Sequence, residues 1–210
     1  MAVLDLTTMW AGPLCTHLLA DWGARVTTVE PTTRPDGLRG SPRQFAAFAQ
    51  KKRRVPWDLR ERDDRVAFEQ AVADADVLVE SFSDRVLPNL GYPADELRRL
   101  NPHLRTIAIR AFPASSWVAF GRGVHAASGL GMVAGAAAPA LVAYPDPLAG
   151  LVAFSAVMRA LADPEGADVE ISLAGAVAPL LASAGEPLGP LDRGAIAQLS
   201  PPGPMLLRER

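Results

Sequence analysis

The sequence predicts an α/β fold, an open and mainly parallel sheet with helices on both faces. Two observations carry this. Short apolar, strand-like runs alternate with segments of helical period, and the first such unit is complete within residues 2–31, AVLDLTTMWAGPLCTHLLADWGARVTTVEP. Ala2 to Leu6 forms its first strand. Pro13 suits a first helical turn, and Leu14, Leu18, Leu19 and Trp22 recur at helical spacing. Gly23 closes the helix, and Arg25 to Val29 extends again. The unit is Rossmann-like, yet its turn reads Trp10-Ala11-Gly12-Pro13 where a dinucleotide-binding unit carries G-x-G-x-x-G.

The remaining elements follow the same alternation. Residues 32–41 are a loop rich in Pro, Gly and Arg, after which Ser41 and Pro42 cap and start a short helix through Phe45 and Phe48. Arg53 to Leu59 reads as a third strand, with Pro56 marking an edge or a bulge. Asp63 or Asp64 begins a helix that buries Phe68, Ala71, Val72 and Ala75. Asp76 to Glu80 is a buried strand, Pro93 to Leu100 a short helix, and Leu104 to Phe112 a further strand. Gly123 to Ala136 is expected to be helical, as is Pro147 to Ala162. Val169 to Leu173 reads as a strand and Ala174 to Ala184 as a last helix. The expected organisation is one Rossmann-like domain over residues 1–184, followed by an irregular, Pro-rich tail over 185–210.

Composition sets the function classes. The 210 residues are 49% apolar and 21% charged, enough for one sizeable core. A net charge of −2 argues against nucleic acid or an anionic membrane surface as partner. A single cysteine, Cys15, excludes an internal disulfide and a cysteine-based zinc cluster, and it reads as a buried bystander in the first helix. Residues 124–162 contain only His125, Asp146 and Arg159 as charged or imidazole groups, but Pro139, Pro145 and Pro147 interrupt them. Two buried helices are therefore expected rather than a membrane hairpin. With no secretory leader read at the N-terminus, the expected location is the cytoplasm.

The blocks VLDLT, AGPLCT, GARV, KKRRVPWDL, DVLVESF, LNP and ASGL, from Val3 to about Leu180, resemble the class III CoA-transferases of CaiB/BaiF type. Formyl-CoA transferase, carnitine-CoA transferase and α-methylacyl-CoA racemase belong to this family. Read from its neighbours alone, Asp146 in Pro145-Asp146-Pro147 is a helix N-cap. The resemblance places it instead at the family's catalytic aspartate, within DPLAGLVAFSAVMRALA followed by DVEISLAGA. In the transferases that carboxylate attacks the acyl-CoA thioester, giving a mixed anhydride and then an aspartyl-CoA thioester, from which an acceptor carboxylate takes the CoA. A helix N-terminus favours an ionised carboxylate, so cap and nucleophile can coincide.

His125 is the other acid–base candidate. Racemase relatives pair a histidine with the same aspartate. Their histidine lies earlier, near Phe120 here, so His125 also reads as a buried helix histidine bonded to backbone. His17 and His103 have no evident partner in the sequence. For CoA itself, the resemblance implies contacts from Trp10 and Ala11 in the first turn and Arg34 and Arg39 in the loop after the second strand. It adds Lys52 and Arg53 at a strand entry, and Ser81 and Phe82 after the fourth strand. Phosphates need cations and N–H donors, and adenine needs an apolar shelf. Arg85 stands one helical turn from Asn89, which occupies a common arginine position of the family.

Family members are about twice this length and carry a small domain that this sequence is expected to lack. The expected activity is movement of CoA between an acyl-CoA thioester and a carboxylate, with the CoA thioester as substrate and no tightly bound cofactor. A homo-oligomer or a second subunit supplying the missing half is the expected partner. Two other readings stand beside it: an acyl-CoA-binding or scaffolding protein without turnover, and an acyl-CoA racemase, isomerase or lyase using Asp146 and His125.

Overall fold

A computed structural model of the chain describes residues 1–113, 115, 117–133, 136–137, 142–162 and 168–183. The first half contains β1 (Ala2–Leu6), α1 (Ala11–Asp21), β2 (Arg25–Val29), a 3₁₀ turn (Gly37–Gly40), α2 (Pro42–Ala49), β3 (Lys52–Val55), α3 (Arg62–Ala73) and β4 (Val77–Glu80). There follow α4 (Val86–Asn89), α5 (Ala94–Leu100), β5 (Arg105–Arg110), α6 (Gly121–Ala127), β6 (Met132–Val133), β7 (Ala136–Ala137), α7 (Pro145–Ala162), β8 (Val169–Ser172) and α8 (Leu173–Ser183).

Six strands form one open sheet in the order β3-β2-β1-β4-β5-β8, and β6 and β7 form a separate antiparallel pair. The first five strands are parallel, with Val3 opposite Val26 on one side and Val77 on the other. The order runs outward from β1 in both directions, so the topological switch point lies between β1 and β4, where open α/β sheets form a crevice at their carboxyl ends. The chain divides into two compact units, Met1–Ile109 with Gly150–Glu170, and Arg110–Ala149 with Ile171–Arg210.

Strand alternation sorts the first unit. Leu4, Leu6, Val55 and Leu78 join Phe68, Val72, Tyr92, Leu97 and Leu104 in one apolar cluster. Phe68 and Tyr92 meet edge to face at 4.8 Å, and the Arg65 guanidinium lies over the Tyr92 ring. Asp5, between Leu4 and Leu6, belongs to a polar cluster instead. Its carboxylate accepts from the Thr7, Thr16 and Thr28 hydroxyls, and the Lys52 ammonium stands 3.4 Å away.

Several boundaries differ from expectation. The third strand stops at Val55, because Pro56 has no N–H to continue the ladder, and Trp57 and Leu59 leave the sheet to pack on the apolar cluster. Ser41 precedes α2 but makes no side-chain cap; only its carbonyl accepts, from Phe45 N–H. The expected helix over Gly123–Ala136 is the short α6 followed by β6 and β7. Gly129, at φ +85°, ends α6 as Gly23, at φ +90°, ends α1. Helix α7 begins at Pro145, so Asp146 lies inside its first turn rather than at its cap. His17, expected to be without a partner, has Nε2 3.5 Å from Asp21 Oδ2. The Pro-rich tail over 185–210 lies outside the described residues.

Candidate active site

At the switch point the β1–α1 turn is fixed from three sides. Thr7 N–H donates to Asp5 Oδ1 at 3.0 Å, Thr8 N–H to Ser81 Oγ at 3.2 Å, and Met9 N–H to Asp36 Oδ1 at 2.9 Å. Met9 adopts φ +71°, a conformation uncommon for a side-chain-bearing residue, and the Asp36 bond holds it there. Asp36 also accepts from Leu38 N–H, and its own N–H donates to Glu30 Oε1. After β4, Phe82 N–H donates to the buried Glu80. These bonds bring the half-buried Trp10, Ser81 and Phe82 to one end of the sheet together with the loop carrying Arg34 and Arg39. Ala11 is buried, while Arg34 and Arg85 are exposed, Arg85 immediately preceding α4.

The basic residues are not equivalent. Arg39 makes a two-pronged bond to Glu30 at 2.7 and 2.8 Å, and Arg54 also donates to Glu30. The Phe45 ring lies under both guanidinium groups, at 4.3 and 4.7 Å. Arg39 foremost, then Arg54 and the Asp36 N–H, hold the Glu30 carboxyl down at about 2.

Lys52 turns inward. Its ammonium donates to Thr16 Oγ1 at 2.6 Å and to the Pro13 carbonyl at 2.9 Å, and only 1% of its side chain is exposed. Burial lowers its pKa and the Asp5 carboxylate opposes that shift. Lys52 and Arg53 are neighbours on one strand, so their side chains leave opposite faces. Arg53 lines a cleft of about 560 Å³ with Arg25, Lys51 and Asp74, away from the turn that Lys52 supports. Of the two residues expected at the strand entry, Lys52 is thus buried under the turn and Arg53 is exposed on the other face. Cys15 is fully buried beside this network, and burial pushes its thiol far up.

In the second unit, Asp146 is half-buried in the first turn of α7, its N–H donating to the Ala143 carbonyl at 3.1 Å. Its carboxylate lies against Gly121 at the start of α6 and has no hydrogen-bond or ion-pair partner among the described residues. Burial pushes its pKa up to about 6. His125, on α6, is buried. Its ring stacks on Tyr144 at 6.3 Å and 26°, it bonds to the Leu130 backbone, and its Nδ1 has no partner among the described residues. Burial lowers its pKa, so the imidazole is neutral at pH 7. Phe120 and Tyr144, 49% and 53% exposed, flank Gly121 and Asp146 in sequence.

Sequence reasoning missed Asp36 and Glu30, which fix the β1–α1 turn and the loop beside it, Glu80, which fixes the loop after β4, and Gly121. An acid ending an apolar strand (Glu30 and Glu80) was the available signal for two of them. Gly121 had none, because its contact is made across the fold.

The comparisons agree with this architecture. The chain is 32% identical over 146 residues to an acetyl-CoA:oxalate CoA-transferase of Acetobacter aceti, a match covering 64% of this chain and 38% of that protein. It is 38% identical over 126 residues to a succinyl-CoA:mesaconate CoA-transferase of Haloarcula hispanica, covering 53% and 31% of the two chains. Among solved structures, Rv3272 of Mycobacterium tuberculosis superposes with a TM-score of 0.78 at 26% identity, covering 88% of this chain and 55% of that one. A CaiB/BaiF family protein of Brucella suis shares the fold, with a TM-score of 0.72 at 24% identity. The chain thus spans about half the length of these structures and less of the relatives. Residues 1–186 match the profile of CoA-transferase family III, and the chain belongs to that family.

Proposed function

We propose that this chain carries the nucleophile and the CoA-binding crevice of a class III CoA-transferase, with Asp146 as the nucleophile. The observation that carries the reading is the Asp146 carboxylate, half-buried in a helix's first turn and without a partner among the described residues. Structural carboxylates that leave water are normally hydrogen-bonded, as Asp5, Glu30 and Glu80 are here. A bare one is available to react. The homology to CoA-transferases supplies the reaction class.

In this reading an Asp146 oxygen attacks the thioester carbonyl and expels CoA as its thiolate, leaving a mixed anhydride. The thiolate then attacks the Asp146 carbonyl of that anhydride. The donor carboxylate departs and an aspartyl-CoA thioester remains. An acceptor carboxylate attacks this thioester, releasing the thiolate and forming a second anhydride. Attack of the thiolate on the acceptor's carbonyl gives the new thioester and restores Asp146. No redox step or net proton change is needed.

Trp10, Ala11, Ser81 and Phe82 offer CoA an aromatic shelf and N–H donors, and Arg34, Arg39 and Arg85 offer its phosphates positive charge. Arg53 is an outlying cation in this reading. Lys52 and Asp5 stiffen the turn from beneath. His125, stacked on Tyr144 and bonded to the Leu130 backbone, is a packing group in this reading. The acyl-CoA and acceptor carboxylate are substrates, and an oligomer or second polypeptide completes the working enzyme.

Exchange of labelled CoA into a panel of acyl-CoA thioesters, measured on fractions of known mass, tests this. Asp146→Asn is expected to cut exchange by about 1,000-fold or more, with activity eluting above the mass of one chain. Full exchange by Asp146→Asn overturns the nucleophile, and exchange at the mass of a single chain overturns the partner.

A further inference from the structure

Gly121 opens α6 in a helical conformation that any residue adopts, and glycine is a poor choice for a helix. No turn or positive φ explains it. The contact does. A β-carbon built at position 121 would stand 1.8 Å from Asp146 Oδ2, 2.5 Å from Asp146 Cγ and 3.0 Å from Ala143 Cβ. The first two separations are closer than real carbon–oxygen or carbon–carbon contacts. Asp146 has a single methylene between backbone and carboxyl, so relief requires a change of its χ1 rotamer or a shift of the first turn of α7.

We infer that Gly121 is a positioning residue for Asp146: the side chain it lacks is the space in which the carboxylate is held. The inference rests on the reading of Asp146 as nucleophile for its catalytic consequence, and on geometry alone for the placement. With Gly121 beside it, the carboxylate faces a carbon rather than a donor on that side, and a desolvated carboxylate is a stronger nucleophile than a hydrated one. Any side chain at 121 displaces the carboxylate from this position, by rotation or with the first turn of α7.

Gly121→Ala is the test, read in three ways. By ¹³C NMR the Asp146 carboxyl is expected to titrate near 6 in the parent and to fall toward the ordinary 3.8 in the variant. The rate of acyl or CoA adduct formation on Asp146 is expected to fall by about 100-fold, while affinity for free CoA changes less than about twofold. In a thermal double-mutant cycle, Gly121→Ala lowers Tm in the parent and lowers it far less in Asp146→Ala, where the obstructing carboxylate is gone. This cycle decides the matter even for a weakly folded variant. An unchanged titration midpoint, or an equal loss of Tm in both backgrounds, overturns the inference. If the parent forms no adduct with any donor, the nucleophile reading falls, and the titration and the cycle still decide the role of Gly121.

Discussion

Asp146 is held between two opposed influences. The N-terminus of α7 favours its ionised form, and burial disfavours it, leaving a pKa of about 6 against an ordinary 3.8. Because the folded-state value is raised, the native chain binds the proton more tightly than the unfolded chain. The group therefore costs nothing below about pH 4, and stability declines as pH rises toward 6. The full cost remains above that, at most about 3 kcal/mol. Asp146→Asn is predicted to raise Tm at pH 7.5 by a few degrees and to leave Tm at pH 4 unchanged, as measured by calorimetry at both pH values. A variant no more stable than the parent at pH 7.5 contradicts the account. A group kept at a cost to stability is expected at a functional site. The start of the helix around Asp146 was legible in Pro145-Asp146-Pro147. Its desolvation was not, since α6 supplies the covering surface and sequence carries no sign of that contact.

The β1–α1 turn depends on a buried polar layer beneath it. Asp5 and Lys52 are each only 1% exposed, and the hydroxyls of Thr7, Thr16 and Thr28 complete the carboxylate's shell. Removing one ion strands the other in a low-dielectric site. Lys52→Met is predicted to destabilise the fold by about 3–5 kcal/mol, and Asp5→Asn combined with Lys52→Met to recover much of that loss, by urea denaturation. Equal losses in the single and double variants contradict the coupling. The six strands of the main sheet, α1 and α3 were readable from period and punctuation. The direction of Lys52 was not, because a basic run at a strand entry reads equally as solvated charge or as a phosphate contact. The register Val26 opposite Lys52 turns it inward over Asp5. Element α4 and the 3₁₀ turn were too short to show a period, and β6 and β7 are two-residue strands in an Ala- and Gly-rich stretch.

Across the molecule, alternating strands and helices made the open α/β sheet legible, and parallel crossover connections order its strands on both sides of β1. The family is established over residues 1–186. Among the described residues no helix is long and apolar enough to cross a membrane, although α7 runs 18 residues. What the whole molecule must do, in this account, is form a covalent link between Asp146 and its substrate. The direct measurement is mass spectrometry of the intact chain after incubation with acyl-CoA thioesters, followed by mapping of the adduct to its peptide. The account predicts an acyl or CoA mass addition on the peptide containing Asp146, absent in Asp146→Ala. An adduct on another residue, or one that persists in Asp146→Ala, would contradict it.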